Sequence, residues 1–199
     1  SWDPKEVADF HETIGNKQTP LVKLPGLAKR LGIGSLLLKD ESHRFGLNAF
    51  KALGASYAMY RQIEKNPQIK TFCTATDGNH GRAVAWMARK LGRKALIYMP
   101  QGTVFDRVRA IEQEGANVFV IDQAYDIAVK MASTRVDEAN NKSGKHFWSL
   151  IQDTAWDGYE EIPSDIMKGY WTQIHEITRQ MGKEKIDVLF LQTGVGSWA

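Results

Sequence analysis

Cysteine is almost absent from this sequence, with Cys73 the only one in 199 residues. A single thiol excludes an intrachain disulfide and a thiolate metal cluster, and a reducing cytoplasm suits it. A surplus of either charge is missing too: Lys and Arg number 26 against 23 Asp and Glu, a formal charge of +3. That balance excludes a highly charged disordered chain and a polyanion-binding basic protein, so no nucleic-acid partner is expected. Apolar runs are short, as at Leu36 to Leu38, and no membrane-spanning helix is expected. His11, His43, His146 and His175 are scattered without a carboxylate or thiol at ligand spacing, and no metal is assigned. No basic, apolar leader opens the chain, and its first residue is Ser1 rather than Met, which reads as processing or trimming.

What is present suits a globular core: 43% of residues are hydrophobic and 10% aromatic. The length allows one large domain or two small ones. Three junctions share one punctuation, a helical pattern, then a glycine, then an apolar run. They are Leu27 to Leu31 with Gly32 before Ser35 to Leu38, Val84 to Leu91 with Gly92 before Ala95 to Met99, and Val108 to Glu114 with Gly115 before Val118 to Ile121. Glycine just past a helix closes it in the left-handed conformation, and the alternation is that of α/β units. With Thr71 to Ala75 and Phe147 to Ile151 added, four strands are predicted. Between them lie helices near Gly81 to Leu91, Phe105 to Gln113 and Ala124 to Asn140. Crossovers of this length favour a parallel sheet with helices on its faces, a doubly wound block near 72 to 151. Outside it helices are predicted near Pro4 to Ile14, Ala52 to Glu64 and Ser164 to Met181, and a strand at Val188 to Gln192. Thr19, Pro20, Pro25 and Gly26 mark a turn-rich entry.

The strand Val188 to Gln192 runs into Thr193, Gly194, Val195, Gly196 and Ser197, a glycine turn of the kind that starts a helix. No helix follows, which reads as the N-terminal half of something larger. Gly194, Gly196 and Ala199 satisfy a G-x-G-x-x-A pattern, and N–H groups of such a turn hold a phosphate. The acidic residue that a nicotinamide cofactor needs about twenty positions later is not there. A glycine turn made for close packing is the equal alternative.

Lys51 stands at the start of the helix predicted from Ala52, among the apolar Ala49, Phe50 and Leu53. The positive end of the helix dipole disfavours a cation there, and such an amine is the better nucleophile toward an aldehyde. The alternative is a lysine that snorkels to solvent. Thr76, Asp77, Gly78, Asn79, His80 and Gly81 follow a strand and open a helix, the place where an open α/β sheet binds ligands. Asp77 as a plain N-cap and His80 as a structural histidine are the alternatives. Asp153 falls at another strand end, and Trp156 and Tyr159 beyond it read as core or interface aromatics. Lys39, Asp40 and Glu41 read as a solvated charge run. The pairs Lys29–Arg30 and Arg89–Lys90 read as caps on helix C-termini.

Asn48-Ala49-Phe50-Lys51, then Thr76 to Gly81, then Gly194-Val195-Gly196 resemble, in that order, the motifs of the fold-type II pyridoxal-phosphate enzymes. Within that group, Lys39-Asp40-Glu41-Ser42, Arg44 to Lys51, Ile97-Tyr98-Met99-Pro100 and Gln152 to Trp156 resemble the diaminopropionate ammonia-lyase family. The resemblance implies an α/β fold with a small doubly wound domain at 72–151. Residues 1–71 and 152–199 would belong to an incomplete larger α/β domain. It implies pyridoxal 5'-phosphate as cofactor, held covalently by Lys51, with Phe50 beside its ring, Asn79 on its phenolic oxygen, and Gly194, Val195, Gly196 and Ser197 on its phosphate. The helix start at Thr76 to His80 would grip the carboxylate of an amino-acid substrate. Asp77 and Asp153 would remove the α proton from opposite faces. The implied reaction turns 2,3-diaminopropionate into pyruvate and ammonia in a cytoplasmic homodimer. A serine or threonine dehydratase, and a non-catalytic fragment, are the competing readings.

Overall fold

Four apolar runs line up as one parallel sheet in the computed structural model, which describes residues 3–194 and 196–198. They are β3 (Thr71–Ala75), β4 (Lys94–Pro100), β5 (Asn117–Ile121) and β6 (Trp148–Leu150), in the order β5-β4-β3-β6. Every residue of β3 is buried, as a central strand covered on both faces must be. Helices α4 (Asn79–Lys90) and α5 (Phe105–Gln113) carry the first two crossovers. They bury Val84, Met87 and Ile111 against Ala95, Ile97 and Met99. Side chains alternate along a strand, so Leu96 with Cys73 and Ala75 faces the other way. There α6 (Tyr125–Ser143) covers them with Ala128, Ala132 and Val136. The connection from β5 returns past β4 and β3 to reach β6, and right-handed crossover puts its helix on the opposite face. The strand order therefore reverses between β3 and β6, which opens a crevice at their C-terminal ends.

Around this block pack α1 (Pro4–Thr13), α2 (Pro25–Leu31), α3 (Lys51–Lys65), α7 (Glu161–Gly169) and α8 (Trp171–Met181). A small antiparallel pair joins β1 (Leu21–Lys23) to β2 (Leu37–Lys39). The three closing glycines take the expected conformation, with φ of 68° at Gly32, 63° at Gly92 and 90° at Gly115. The first half of α3 is buried from Ala52 to Met59, and its small residues let two helices approach closely. A β-carbon on Gly169 would overlap the carbonyl oxygen of Leu53 and lie 2.7 Å from Gly54 Cα. Backbone cannot yield as a side chain can, so Gly169→Ala is expected to cost about 1–3 kcal/mol. A urea midpoint lowered to match would show it, and an unchanged midpoint would mean that α7 shifts freely on α3.

Three expectations need correction. The helix predicted from Ser164 to Met181 is two helices, α7 and α8, divided at Tyr170, whose buried ring packs against Phe50. Val188 to Gln192 forms no strand: Val188 is 67% and Phe190 86% exposed. A strand exists only as part of a ladder, and among the described residues none lies alongside to pair its N–H and C=O groups. Lys39 and Glu41 are not solvated. With Glu176 of α8 they surround Arg44, whose side chain is fully buried. Arg44 donates to both oxygens of Glu41 and both of Glu176 over 2.7–2.9 Å, while Lys39 donates to Glu176 over 2.7 Å. Among the described residues no helix is long and apolar enough to cross a membrane.

Candidate functional site

Adjacent parallel strands deliver the two loops that the motifs singled out. β3 pairs with β6, so Asp77 and Asp153, each a few residues beyond its strand, leave the same sheet edge. Lys51 is the first residue of α3, and its Nζ donates to Asp153 Oδ2 over 2.9 Å. Asp153 is 6% exposed. Burial alone would raise its carboxyl, but His80 in its protonated form and the Lys51 ammonium hold it below the ordinary carboxylate value. His80 is buried on the first turn of α4, with Nε2 2.7 Å from the Ile151 carbonyl and Nδ1 3.8 Å from Asp153 Oδ2. The structure thus unites Lys51, His80 and Asp153 from three separate elements. Asp77 and Asn79 are exposed at the rim. Arg107 of α5 donates to the Asp77 carbonyl over 3.0 Å, and its side chain lies beside Gly78.

The start of α4 is partly satisfied from within. Thr76 Oγ1 accepts the N–H groups of Gly78 and Gly81, both over 3.0 Å. A β-carbon on Gly81 would collide with the Thr76 methyl, so glycine is what lets the hydroxyl reach the helix. The first helical N–H groups have no intrahelical partner. Among the described residues those of Asn79 and His80 stay open, so an anion has two donors here rather than the four of an uncapped turn.

The aromatic rings place the glycine turn. Trp198 lies 5.5 Å from Phe50 and 5.6 Å from Tyr170, and Phe50 lies 5.2 Å from Tyr170. Ser197 is thereby held beside the residue that precedes Lys51. Its Oγ is buried against the Tyr170 hydroxyl, and neither makes a well-formed hydrogen bond among the described residues. Gly194 and Gly196 are exposed, and Val195 lies outside the described residues.

Sequence reasoning assigned no site role to several residues here. Gln152 staples the two strand ends: its Oε1 accepts from Ala75 N and Thr74 Oγ1, each over 3.0 Å, and its Nε2 donates to Tyr125 Oη over 2.9 Å. Burial and the Asp153 carboxylate push the Tyr125 phenol up to about 12. Thr154 Oγ1 is buried near it without a well-formed bond. Tyr159 stacks on the half-exposed Trp156 at 4.3 Å while its hydroxyl accepts from Gln152 N over 2.8 Å. The available signal was positional. Tyr125 opens a helix just after β5, the same kind of strand end that drew attention to Asp77.

The family model described as "Pyridoxal-phosphate dependent enzyme" matches residues 13–199. Diaminopropionate ammonia-lyase of Salmonella typhimurium is 44% identical over 219 aligned residues, 98% of this chain and 52% of that protein. Threonine dehydratase 1 of Solanum lycopersicum is 30% identical over 90% of this chain and 27% of its own length. The crystal structure of the Escherichia coli diaminopropionate ammonia lyase in complex with D-serine superposes with a TM-score of 0.82 at 41% identity. It covers 89% of this chain and 48% of that one. The chain spans about half the length of the ammonia-lyases it matches.

Proposed function

Because the chain belongs to the pyridoxal-phosphate dependent enzymes, we propose that its site serves the elimination of ammonia from 2,3-diaminopropionate. With one water taken up, the products are pyruvate and two molecules of ammonia. The observation that carries the reading is the lysine amine 2.9 Å from a buried carboxylate, at the crevice between β3 and β6. The residues present fit the cofactor. Ser197 Oγ and Thr154 Oγ1 are buried polar atoms without a well-formed hydrogen bond among the described residues, and such atoms ask for a polar occupant.

Lys51 would hold the cofactor covalently, Phe50 would flank its ring, Asn79 would reach its phenolic oxygen, and Gly194, Val195, Gly196 and Ser197 would take its phosphate. When bound, pyridoxal phosphate supplies an electron sink for the carbanion left at the substrate α carbon. The chain supplies the rest. Asp153 and Asp77 take the α proton from opposite sides. The open N–H groups of Asn79 and His80 receive the substrate carboxylate, with Thr76 and Gly78 shaping the turn. The carboxylate of Asp77 also suits a substrate with a second ammonium, since charge-assisted bonds are about twice as strong as neutral ones. The same proposal includes a homodimer in the cytoplasm. It also includes a small domain at 72–151 set against segments 1–71 and 152–199.

Borohydride reduction in the presence of the cofactor, followed by peptide mapping, is expected to place the adduct on Lys51. An adduct on Lys39 or Lys94 would remove the basis of the reading. Turnover of serine well above that of diaminopropionate would favour the dehydratase reading instead.

A further inference from the structure

We propose that His80 receives the proton that Lys51 must shed before its amine can react, and then holds Asp153 in place. The inference rests on the reading of Lys51 and Asp153 given above. Its starting point is an unsatisfied atom. Nε2 of His80 lies 2.7 Å from the Ile151 carbonyl, and a carbonyl only accepts, so Nε2 carries a proton, the ring's only one when the imidazole is neutral. Nδ1 then presents a lone pair, is buried, and has no hydrogen-bond partner among the described residues. It faces Asp153 Oδ2 at 3.8 Å, the same oxygen that accepts from Lys51 Nζ at 2.9 Å. An acceptor turned toward a carboxylate is a poor resting arrangement. It becomes a good one once a proton lies between them.

An ammonium has no lone pair, so Lys51 must lose a proton to become a nucleophile. Asp153 Oδ2 accepts that proton from Nζ, moves about 1 Å into hydrogen-bond reach of His80 Nδ1, and passes it on. The bonds broken are N–H on Lys51 and then O–H on Asp153; the bonds formed are O–H on Asp153 and N–H on His80. The charge of the trio is unchanged, since Lys51 goes from +1 to neutral, His80 from neutral to +1, and Asp153 ends as the carboxylate it began. No net charge has to be created in a buried site, where that would be costly. Oδ2 then accepts a hydrogen bond from the new Nδ1–H. Asp153 keeps a cationic partner after Lys51 has been consumed. The other ionisable groups around Asp153 are the phenols of Tyr125, Tyr159 and Tyr170, with Asp77 beyond Tyr125. Burial pushes all three phenols up, which leaves the imidazole as the proton store.

The test has two arms. In protein labelled with 15N in its histidine rings, His80 is expected to show a proton-bearing Nε2 and a bare Nδ1 at neutral pH, as its hydrogen bond to the Ile151 carbonyl and its unpartnered Nδ1 require. A proton on both nitrogens overturns the proposal, and this arm needs neither cofactor nor turnover. In the cofactor-loaded enzyme, His80→Gln keeps a donor for the Ile151 carbonyl but cannot take a proton. Its kcat on diaminopropionate is expected to fall about 100-fold, with KM nearly unchanged and one ionisation missing from the pH profile. A parent-like rate and profile would also overturn it. A bare His80 Nδ1 together with a borohydride adduct away from Lys51 would refute the functional reading while leaving the His80–Asp153 arrangement intact.

Discussion

Asp153→Asn is expected to lower turnover of D-2,3-diaminopropionate by a factor of about 100 to 10,000 while largely sparing the L form, and Asp77→Asn to do the reverse. A proton on the α carbon can be taken only by a base on its own side of the planar conjugated system. Acceptance of both enantiomers therefore needs a base on each side. The structure gives the two aspartates a common edge but different surroundings. Asp153 is buried, and despite that burial protonated His80 and the Lys51 ammonium hold its carboxyl below the ordinary value, so it is ionised at neutral pH. Asp77 is exposed, on a loop that Arg107 fastens by its carbonyl. Separate kcat/KM measurements on the two enantiomers decide the matter. Equal losses for both in each variant would make the aspartates binding or capping residues, and the two-base assignment would fall.

Arg44→Met is expected to destabilise the fold by about 3–5 kcal/mol, the range for removing one partner from a buried ion pair. Its guanidinium is the cation that Glu41 and Glu176 share, and Asn16 and Thr19 also accept from it, over 2.8 and 3.0 Å. Without it two carboxylates would face each other inside the protein with Lys39 as the remaining cation. Arg44→Lys is expected to recover little, because an ammonium cannot serve two carboxylates in a planar fork. The cluster also predicts an acid limb. Burial would raise the Glu176 carboxyl, but Arg44 and Lys39 outweigh it and hold it at about 2 against an ordinary 4.5. A depressed carboxyl stabilises the fold above its unfolded value, so this contribution is complete above about pH 4.5 and is lost as pH falls toward 2. Urea midpoints measured from pH 6 downward check both statements. A parent-like midpoint for Arg44→Met would make the cluster incidental to stability.

Arg44 also stiffens the approach to Lys51. The next residue, Phe45, has φ of 51°, costly for a bulky side chain, and Asn48 has φ of 60°. Arg44 anchors one side of this loop, and the Phe45 ring rests 4.8 Å from Trp86. Together they hold the turn that delivers Lys51 to the crevice. The residues of this turn carried the sequence resemblance, while their backbone conformation emerges only in the folded structure.

The sequence by itself determined what depends on near neighbours along the chain. Helices closed by Gly32, Gly92 and Gly115, apolar runs of strand length, and the spacing between them were enough for four parallel strands and their crossovers. Local rules act over a few residues, and these segments obey them. Lys51 at a helix start was legible for the same reason, and so were Asp77 and Asp153 at strand ends. Tertiary structure decided what depends on residues far apart. Lys51 and Asp153 are 102 positions apart, and Arg44 and Glu176 are 132 apart. Charge in a sequence does not reveal burial, so Lys39 and Glu41 read as solvated until α8 brought Glu176 against them. Thr76 turned out to occupy N–H groups that the motif alone offered to a ligand, because Gly81 allows its side chain in. Apolar character at Val188 to Gln192 did not make a strand, since a strand is a property of a pair and the partner must be supplied in space.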